Sequence, residues 1–185
     1  MHIIKLSAIN STNDYLKELV AKQVVTNFTI VVAESQLKGK GQMGSVWVSE
    51  VGKNLTFSIL IKDLIVDVKQ LYTLNIVISL AIISVLEQYK IPTVRIKWPN
   101  DIMSGNHKIG GILIENSFKS DGEVFSVVGI GLNINQINFE NLPNASSLKL
   151  KTGQDYPIEE LLQELCQSIK QFVLKMNFDS LILKL

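Results

Sequence analysis

Apolar residues along this chain fall into short alternating or continuous runs in its first three quarters and a helical stripe near its end. His2 to Ile9 reads as a short strand. Ser11-Thr12-Asn13-Asp14 then offers N-cap chemistry for a helix reaching about Lys22. Phe28 to Ala33, rich in β-branched residues, reads as a buried strand, and Leu55 to Ile61 as another. Between them lie a glycine-rich loop, Gln36 to Gly44, and the apolar triplet Val46-Trp47-Val48, which reads as strand. Leu71 to Leu86 is mostly apolar, but it is too short for a membrane span and carries Thr73, Asn75, Ser79 and Ser84, so a buried core helix is expected. Thr93 to Lys97 forms a short strand that stops at Trp98-Pro99-Asn100-Asp101. Ile109 to Phe118 and Glu123 to Ile130 flank Lys119-Ser120-Asp121-Gly122 as a hairpin. Ile158, Leu161, Leu162, Leu165, Ile169, Phe172, Val173 and Met176 mark one amphipathic helix, with Pro157 in its first turn. Strands and helices mix without regular βαβ alternation. The expected class is α+β, with a mixed, largely antiparallel sheet flanked by helices.

Composition narrows the function classes. The 185 residues contain no linker or repeat and predict one domain, residues 1–185. With 46% hydrophobic residues the chain is not disordered. A net charge of +1 gives no bulk field for nucleic acid or membrane, so neither is an expected partner. One cysteine, Cys166, allows no internal disulfide, and no Cys/His cluster suggests zinc. The N-terminus lacks a signal-peptide pattern, and a cytoplasmic location is expected. Seventeen of the eighteen basic residues are lysines and only Arg95 is an arginine, so an anion would be met by lysine and backbone N–H groups.

Three clusters could carry chemistry. Gly39-Lys40-Gly41-Gln42-Met43-Gly44 matches G-x-G-x-x-G, yet no helix follows, so the dinucleotide-binding reading fails. The glycines still let backbone approach an anion closely; a flexible connection is the plain alternative. Lys97-Trp98-Pro99-Asn100-Asp101 combines a cation, a large aromatic, a stiff turn and a carboxylate, beyond what an ordinary surface turn with a buried tryptophan requires. If the hairpin folds about Ser120-Asp121, then to within a residue or two of register Gly111 faces about Ile130, and Lys108 lies beside Leu132 or Asn133. A strand-end lysine is ordinarily solvated. Here Gly110, Gly111, Gly129 and Gly131 strip side chains from the same end of the sheet, as for a ligand lying on the backbone.

Together, Lys97 to Asp101, then Lys108-Ile109-Gly110-Gly111-Ile112-Leu113-Ile114-Glu115, then Gly129-Ile130-Gly131-Leu132-Asn133 resemble the motifs of biotin–protein ligases. Ser11-Thr12-Asn13 and the glycine loop followed by Trp47 fit the same order, and the likeness spans roughly residues 1–180. The resemblance implies a fold similar to class II aminoacyl-tRNA synthetases and lipoate ligases. It implies ATP-dependent activation of biotin to biotinyl-5′-AMP and transfer to a lysine of a biotin carboxyl carrier domain. Carried over, Ser11, Thr12, Asn13, Gln36, Lys40, Gly41, Gln42, Lys108 and Gly111 would meet biotin. Gly39, Lys40, Trp47, Asn54, Lys97, Asn100 and Asn133 would surround the nucleotide. Lys108 and Asp101 would be catalytic, Asp101 also helping to order Mg²⁺ or the phosphates.

The departures also carry expectations. Lys40 and Gln42 stand where the family's loop often has arginines, which predicts a looser hold on the adenylate. No helix-turn-helix region precedes Met1, so repressor activity is not expected, and the chain ends about where members continue into a small SH3-like domain. Alternatives are a lipoate–protein ligase and a non-catalytic biotin-binding protein. Association by a free sheet edge, in a homodimer or with the carrier, stays open.

Overall fold

In chain order the elements are β1 (Ile3–Ile9), α1 (Thr12–Lys22), β2 (Ile30–Gln36), β3 (Leu55–Lys62), α2 (Val68–Gln88), β4 (Val94–Lys97), β5 (Asp101–Ser104), β6 (His107–Phe118), β7 (Val124–Leu132), α3 (Leu148–Thr152) and α4 (Ile158–Ile182). They come from a computed structural model that describes residues 1–62, 68–118, 124–140 and 142–182. The strands make one seven-stranded sheet in the order β1-β2-β3-β7-β6-β5-β4. Only the β1–β2 pair is parallel, so the sheet is mixed and largely antiparallel, as the patterning predicts.

Alternation along β3 separates the two faces. Leu55, Phe57, Ile59 and Ile61 point into the main core, against Leu74, Ile78 and Ile82 of α2 and Leu161, Leu165, Ile169 and Val173 of α4. Leu60 points the other way, into a smaller core with Leu16 of α1, Val31, Phe125 and Val127. Thr56 and Ser58 share that second face, where α1 covers only part of the sheet. One face is thus sealed and the other half open.

The apolar segment expected as a core helix is α2, and among the described residues no helix is long and apolar enough to cross a membrane. Helix α1 starts where Ser11 Oγ accepts the Asp14 N–H at 3.3 Å. Two local readings need correction. Val46-Trp47-Val48 is not a strand: a single bridge, Lys40 to Val46, folds the loop back on itself. The turn after Asn100 leads directly into β5, and a short helix, α3, follows Ser147; neither was expected. In the hairpin Gly111 faces Gly131, one residue from the nominal pairing with Ile130 and within the expected range. The hairpin's connection, residues 119–123, lies outside the described residues.

Ile82 is fully buried between α2 and the sheet. Ile82→Ala is expected to cost about 2–5 kcal/mol in urea-denaturation stability, from lost burial and the cavity left behind.

Candidate active site

One row of paired residues crosses the half-open face. Thr56 of β3 lies opposite Gly131, Gly131 opposite Gly111, Gly111 opposite Asp101, and Asp101 opposite Lys97. The middle of this row has no side chains. A Cβ at Gly131 would overlap the indole of Trp47, and one at Gly129, next along the same face, would overlap the amide of Asn13. The glycines leave room for groups brought in from other elements.

Lys108 reaches this row through a β-bulge. Ile102 pairs with Gly110 but Met103 pairs with Lys108, leaving Ile109 as an extra residue in β6. In a regular strand Lys108 and Gly111 would point to opposite faces. The bulge turns the lysine onto the glycine face. Its Nζ lies 2.6 Å from Asp101 Oδ1 and 6.0 Å from the centre of the Trp47 ring. The backbone of Lys108 bonds to Asn144 O (2.8 Å) and Ser146 N (2.9 Å), while Asn133 N donates to Ile109 O (2.8 Å), one residue along from Lys108 and within the expected register. The side chain is 36% exposed and faces the cavity, unlike an ordinary solvated lysine.

At the other end the first turn of α1 and β2 supply uncharged polar groups. Gln36 Oε1 accepts from Thr12 N (2.7 Å) and Thr12 Oγ1 (3.0 Å). Ser58 Oγ lies 2.7 Å from Thr12 Oγ1 and 2.5 Å from Asn13 Oδ1. Asn13 Nδ2 donates to Glu115 Oε2 at 2.7 Å, and Lys17 Nζ holds the other Glu115 oxygen at 2.7 Å. Ser58 and Glu115 were not among the expected site residues. The available signal was polar Thr56 and Ser58 alternating within the apolar run of β3.

A cavity of about 160 Å³ joins these parts. It is lined by Ser11, Thr12, Asn13, Gln36, Lys40, Gly41, Gln42, Trp47, Asn100, Lys108 and Gly111 among the expected residues, together with Thr56, Gly129 and Gly131. Asn100 fixes the turn before β5, its carbonyl accepting from Ile112 N (2.9 Å) and its Nδ2 donating to Ile112 O (3.3 Å). Trp47 Nε1 is buried without a hydrogen-bond partner. Trp98, in the same turn as Asn100, is 60% exposed rather than buried.

Other expected residues lie apart from the cavity. Asn54 is buried, its Oδ1 accepting from Ile134 N (3.0 Å) and its Nδ2 bonded to Gln136. Asn133 is buried and donates to Ser146 O at 3.0 Å. These bonds tie Asn54 to Ile134 and Gln136, and Asn133 to Ser146. Gly39 serves the loop, its carbonyl accepting from Trp47 N at 3.0 Å. Lys97 is exposed, with Nζ 3.9 Å from Asp101. Among the described residues no three His, Cys, Asp or Glu side chains gather as a metal site. Asp101, the residue expected to help order Mg²⁺, already carries the Lys108 ammonium, so its surroundings do not fit a metal cage built by the protein. Cys166 is no nucleophile: burial pushes its thiol up to about 12.

Lys40 is held by Asp14, at 2.6 Å from Oδ2 and 2.8 Å from Oδ1. Partial burial acts to raise the Asp14 carboxyl, but hydrogen bonds from Lys40 and Lys17 outweigh it and hold the group below its ordinary value of 3.8. A carboxyl depressed on folding adds stability above its unfolded value, and that stability is lost as pH falls through the folded value. Wild type should therefore exceed Asp14→Asn in denaturant stability at neutral pH, and the gap should shrink as pH falls below 3.8 and through the lower folded value.

Space at the floor can be tested directly. Gly131→Ala is expected to lift the Trp47 indole and red-shift tryptophan emission. Gly111→Ala should leave emission unchanged, because its Cβ would meet Lys108 Cε and Trp47 Cζ3 at ordinary distances of 3.4 and 3.5 Å. Trp98, the second of two tryptophans, is already exposed, so the change reports Trp47.

Residues 6–135 match the biotin/lipoate A/B protein ligase family. The bifunctional ligase/repressor BirA of Bacillus spizizenii is 31% identical over 158 residues, covering 83% of this chain and 48% of that protein. The biotin–[acetyl-CoA-carboxylase] ligase of Mycobacterium tuberculosis is 30% identical over 141 residues, covering 75% of this chain and 51% of that protein. The chain thus spans about half the length of these relatives. The biotin protein ligase of Aquifex aeolicus, solved in complex with biotin and ATP, superposes with a TM-score of 0.80 at 30% identity, over 95% of this chain and 72% of that one. By the extent of the matched region and the shared fold, this chain belongs to the biotin/lipoate A/B protein ligase family.

Proposed function

We propose that the chain activates biotin with ATP and transfers the biotinyl group to a lysine amine of a biotin carboxyl carrier domain. The observation that carries this reading is the Lys108 ammonium, turned by the Ile109 bulge onto a side-chain-free strip between an uncharged polar pocket and Asp101.

In the first step a carboxylate oxygen of biotin attacks the α-phosphorus of ATP, the bond to the bridging oxygen breaks, and pyrophosphate leaves. Two anions must meet. Unit charges about 4 Å apart repel by about 4 kcal/mol at an effective dielectric near 20. An ammonium between them offsets repulsion of that size and gains further as charge builds on the phosphate oxygens. Asp101 holds Lys108 in place, and Gly111 and Gly131 let the reacting groups lie against the backbone. The cavity and its lining hold the acid near its partner, which supplies part of the acceleration through position alone. Magnesium enters this reading with the triphosphate, as part of the substrate. In the second step the carrier amine attacks the acyl carbon, loses a proton, and AMP departs.

The ring end of the pocket favours biotin over lipoate. A ureido group has two N–H donors and a carbonyl, which suit Ser11, Thr12, Asn13 and Gln36; a dithiolane would leave such groups poorly matched. Lys40, Gly41 and Gln42 cover the acid, and Trp47 and Asn100 border the nucleotide side. The Aquifex aeolicus relative's complex with biotin and ATP supports the same pair of ligands.

The test is ATP–pyrophosphate exchange. Exchange is expected with biotin and absent with lipoate or without acid, and Lys108→Ala should lower it by about 10²–10³-fold while leaving the melting temperature nearly unchanged. Exchange with lipoate alone would reassign the substrate. Biotin binding without exchange would make the chain a non-catalytic binder.

A further inference from the structure

The segment from Gly39 to Trp47 is closed on itself. Trp47 N–H donates to Gly39 O at 3.0 Å, Gly41 N–H to Ser45 O at 2.8 Å, and Ser45 N–H to Gln42 O at 3.0 Å. Met43 at its tip is fully exposed, and Val46 is mostly so. Among the described residues, two side chains tie this small hairpin to the body of the protein. Trp47 lies over Gly131, and Lys40 reaches Asp14. Asp14 cannot follow the hairpin if it lifts. Its N–H is capped by Ser11 Oγ, and its Oδ1 also meets Lys17 Nζ at 3.1 Å, while Lys17 is anchored on Glu115 of β6. Opening the cover therefore requires the Lys40–Asp14 pair to break. The same first turn of α1 supplies Ser11, Thr12 and Asn13 to the cavity wall.

We propose that Asp14 is a positioning residue that latches the 39–47 hairpin over the cavity and so sets how fast bound acid and acyl-adenylate exchange with solvent. The ligand part of this inference rests on the function proposed above. Lys40 is 47% exposed and Asp14 33%, so the pair is worth little more than a surface ion pair. Such a latch changes opening by about two- to fivefold and weakens as salt screens it.

The experiment compares wild type, Asp14→Asn and Asp14→Glu, each in a Trp98→Phe background so that emission reports Trp47 alone. Without ligand, acrylamide quenching of Trp47 is expected to rise about two- to fivefold in Asp14→Asn and to stay near wild type in Asp14→Glu. With ligand, release of labelled biotin and of biotinyl-adenylate is expected to quicken by the same factor. Raising salt from about 0.05 to about 0.5 M should quicken wild-type release and leave Asp14→Asn unmoved. Unchanged quenching and release in Asp14→Asn would overturn the latch. Slower release would overturn it too, by showing that Asp14 competes with the ligand for Lys40. If the chain binds no biotin, raised quenching keeps the latch while the ligand assignment falls, and unchanged quenching removes both.

Discussion

An extra residue in one strand decides where the lysine goes. Side chains alternate along β6, so without Ile109 as a bulge Lys108 would point toward the sealed face packed by α2 and α4. An ammonium buried there, among Leu74, Ile78 and Ile82, would cost several kcal/mol unless paired. The bulge instead delivers it to the face where Gly111 and Gly131 have left a strip of bare backbone and where Asp101 stands one strand away. The glycines and the bulge are two halves of one device. One clears the floor, and the other aims a single positive charge across it.

That device also fixes what else the half-open face needs. Bare backbone beside a charge must still be screened from water if the charge is to act at low dielectric, and α1 covers only part of the sheet. The remaining cover is the glycine loop, which brings Trp47 down onto Gly131. Helix α1 therefore has two jobs at its first turn. Its residues 11–13 form the uncharged wall, and Asp14 fastens the cover.

Much of this was legible in the sequence, and the failures share physical causes. The glycine pairs and the Lys97–Asp101 block pointed to the end of the sheet where the cavity lies, because both depart from what a strand or surface turn ordinarily holds. The register was legible only to within a residue or two and lies one residue from the nominal pairing, since it depends on the connection and not on the strands it joins. That one residue matters: with Gly111 opposite Gly131 the two glycines form one continuous strip. The bulge was invisible because Ile109 continues an apolar run, and nothing in Lys-Ile-Gly-Gly says which residue is extra. Asn54 and Asn133 were expected near the nucleotide; Asn54 Oδ1 accepts from Ile134 N and Asn133 Nδ2 donates to Ser146 O, bonds a sequence motif does not reveal. A buried asparagine needs partners before it can offer any. Val46 to Val48 carry strand-forming residues, but among the described residues their pairing is the single bridge of Val46 to Lys40, so propensity yields to topology.

The polarity of the cavity follows from the same layout. One end offers amides and hydroxyls already bonded to one another, so a ligand there must exchange hydrogen bonds rather than bring charge. The other end offers an ammonium balanced by a single carboxylate. A molecule complementary to both is uncharged and hydrogen-bonding at its head and anionic at its tail, and a second anion can approach only where the ammonium is shared. Adding an arginine fork would grip the tail more firmly but would hold it in one geometry. A lysine with three rotatable donors can keep contact with Asp101 and with two oxygens in turn as charge moves between them. The chain's one arginine, Arg95, donates to Gly105 O, and the reactive end is built from lysine, Asp101 and bare backbone.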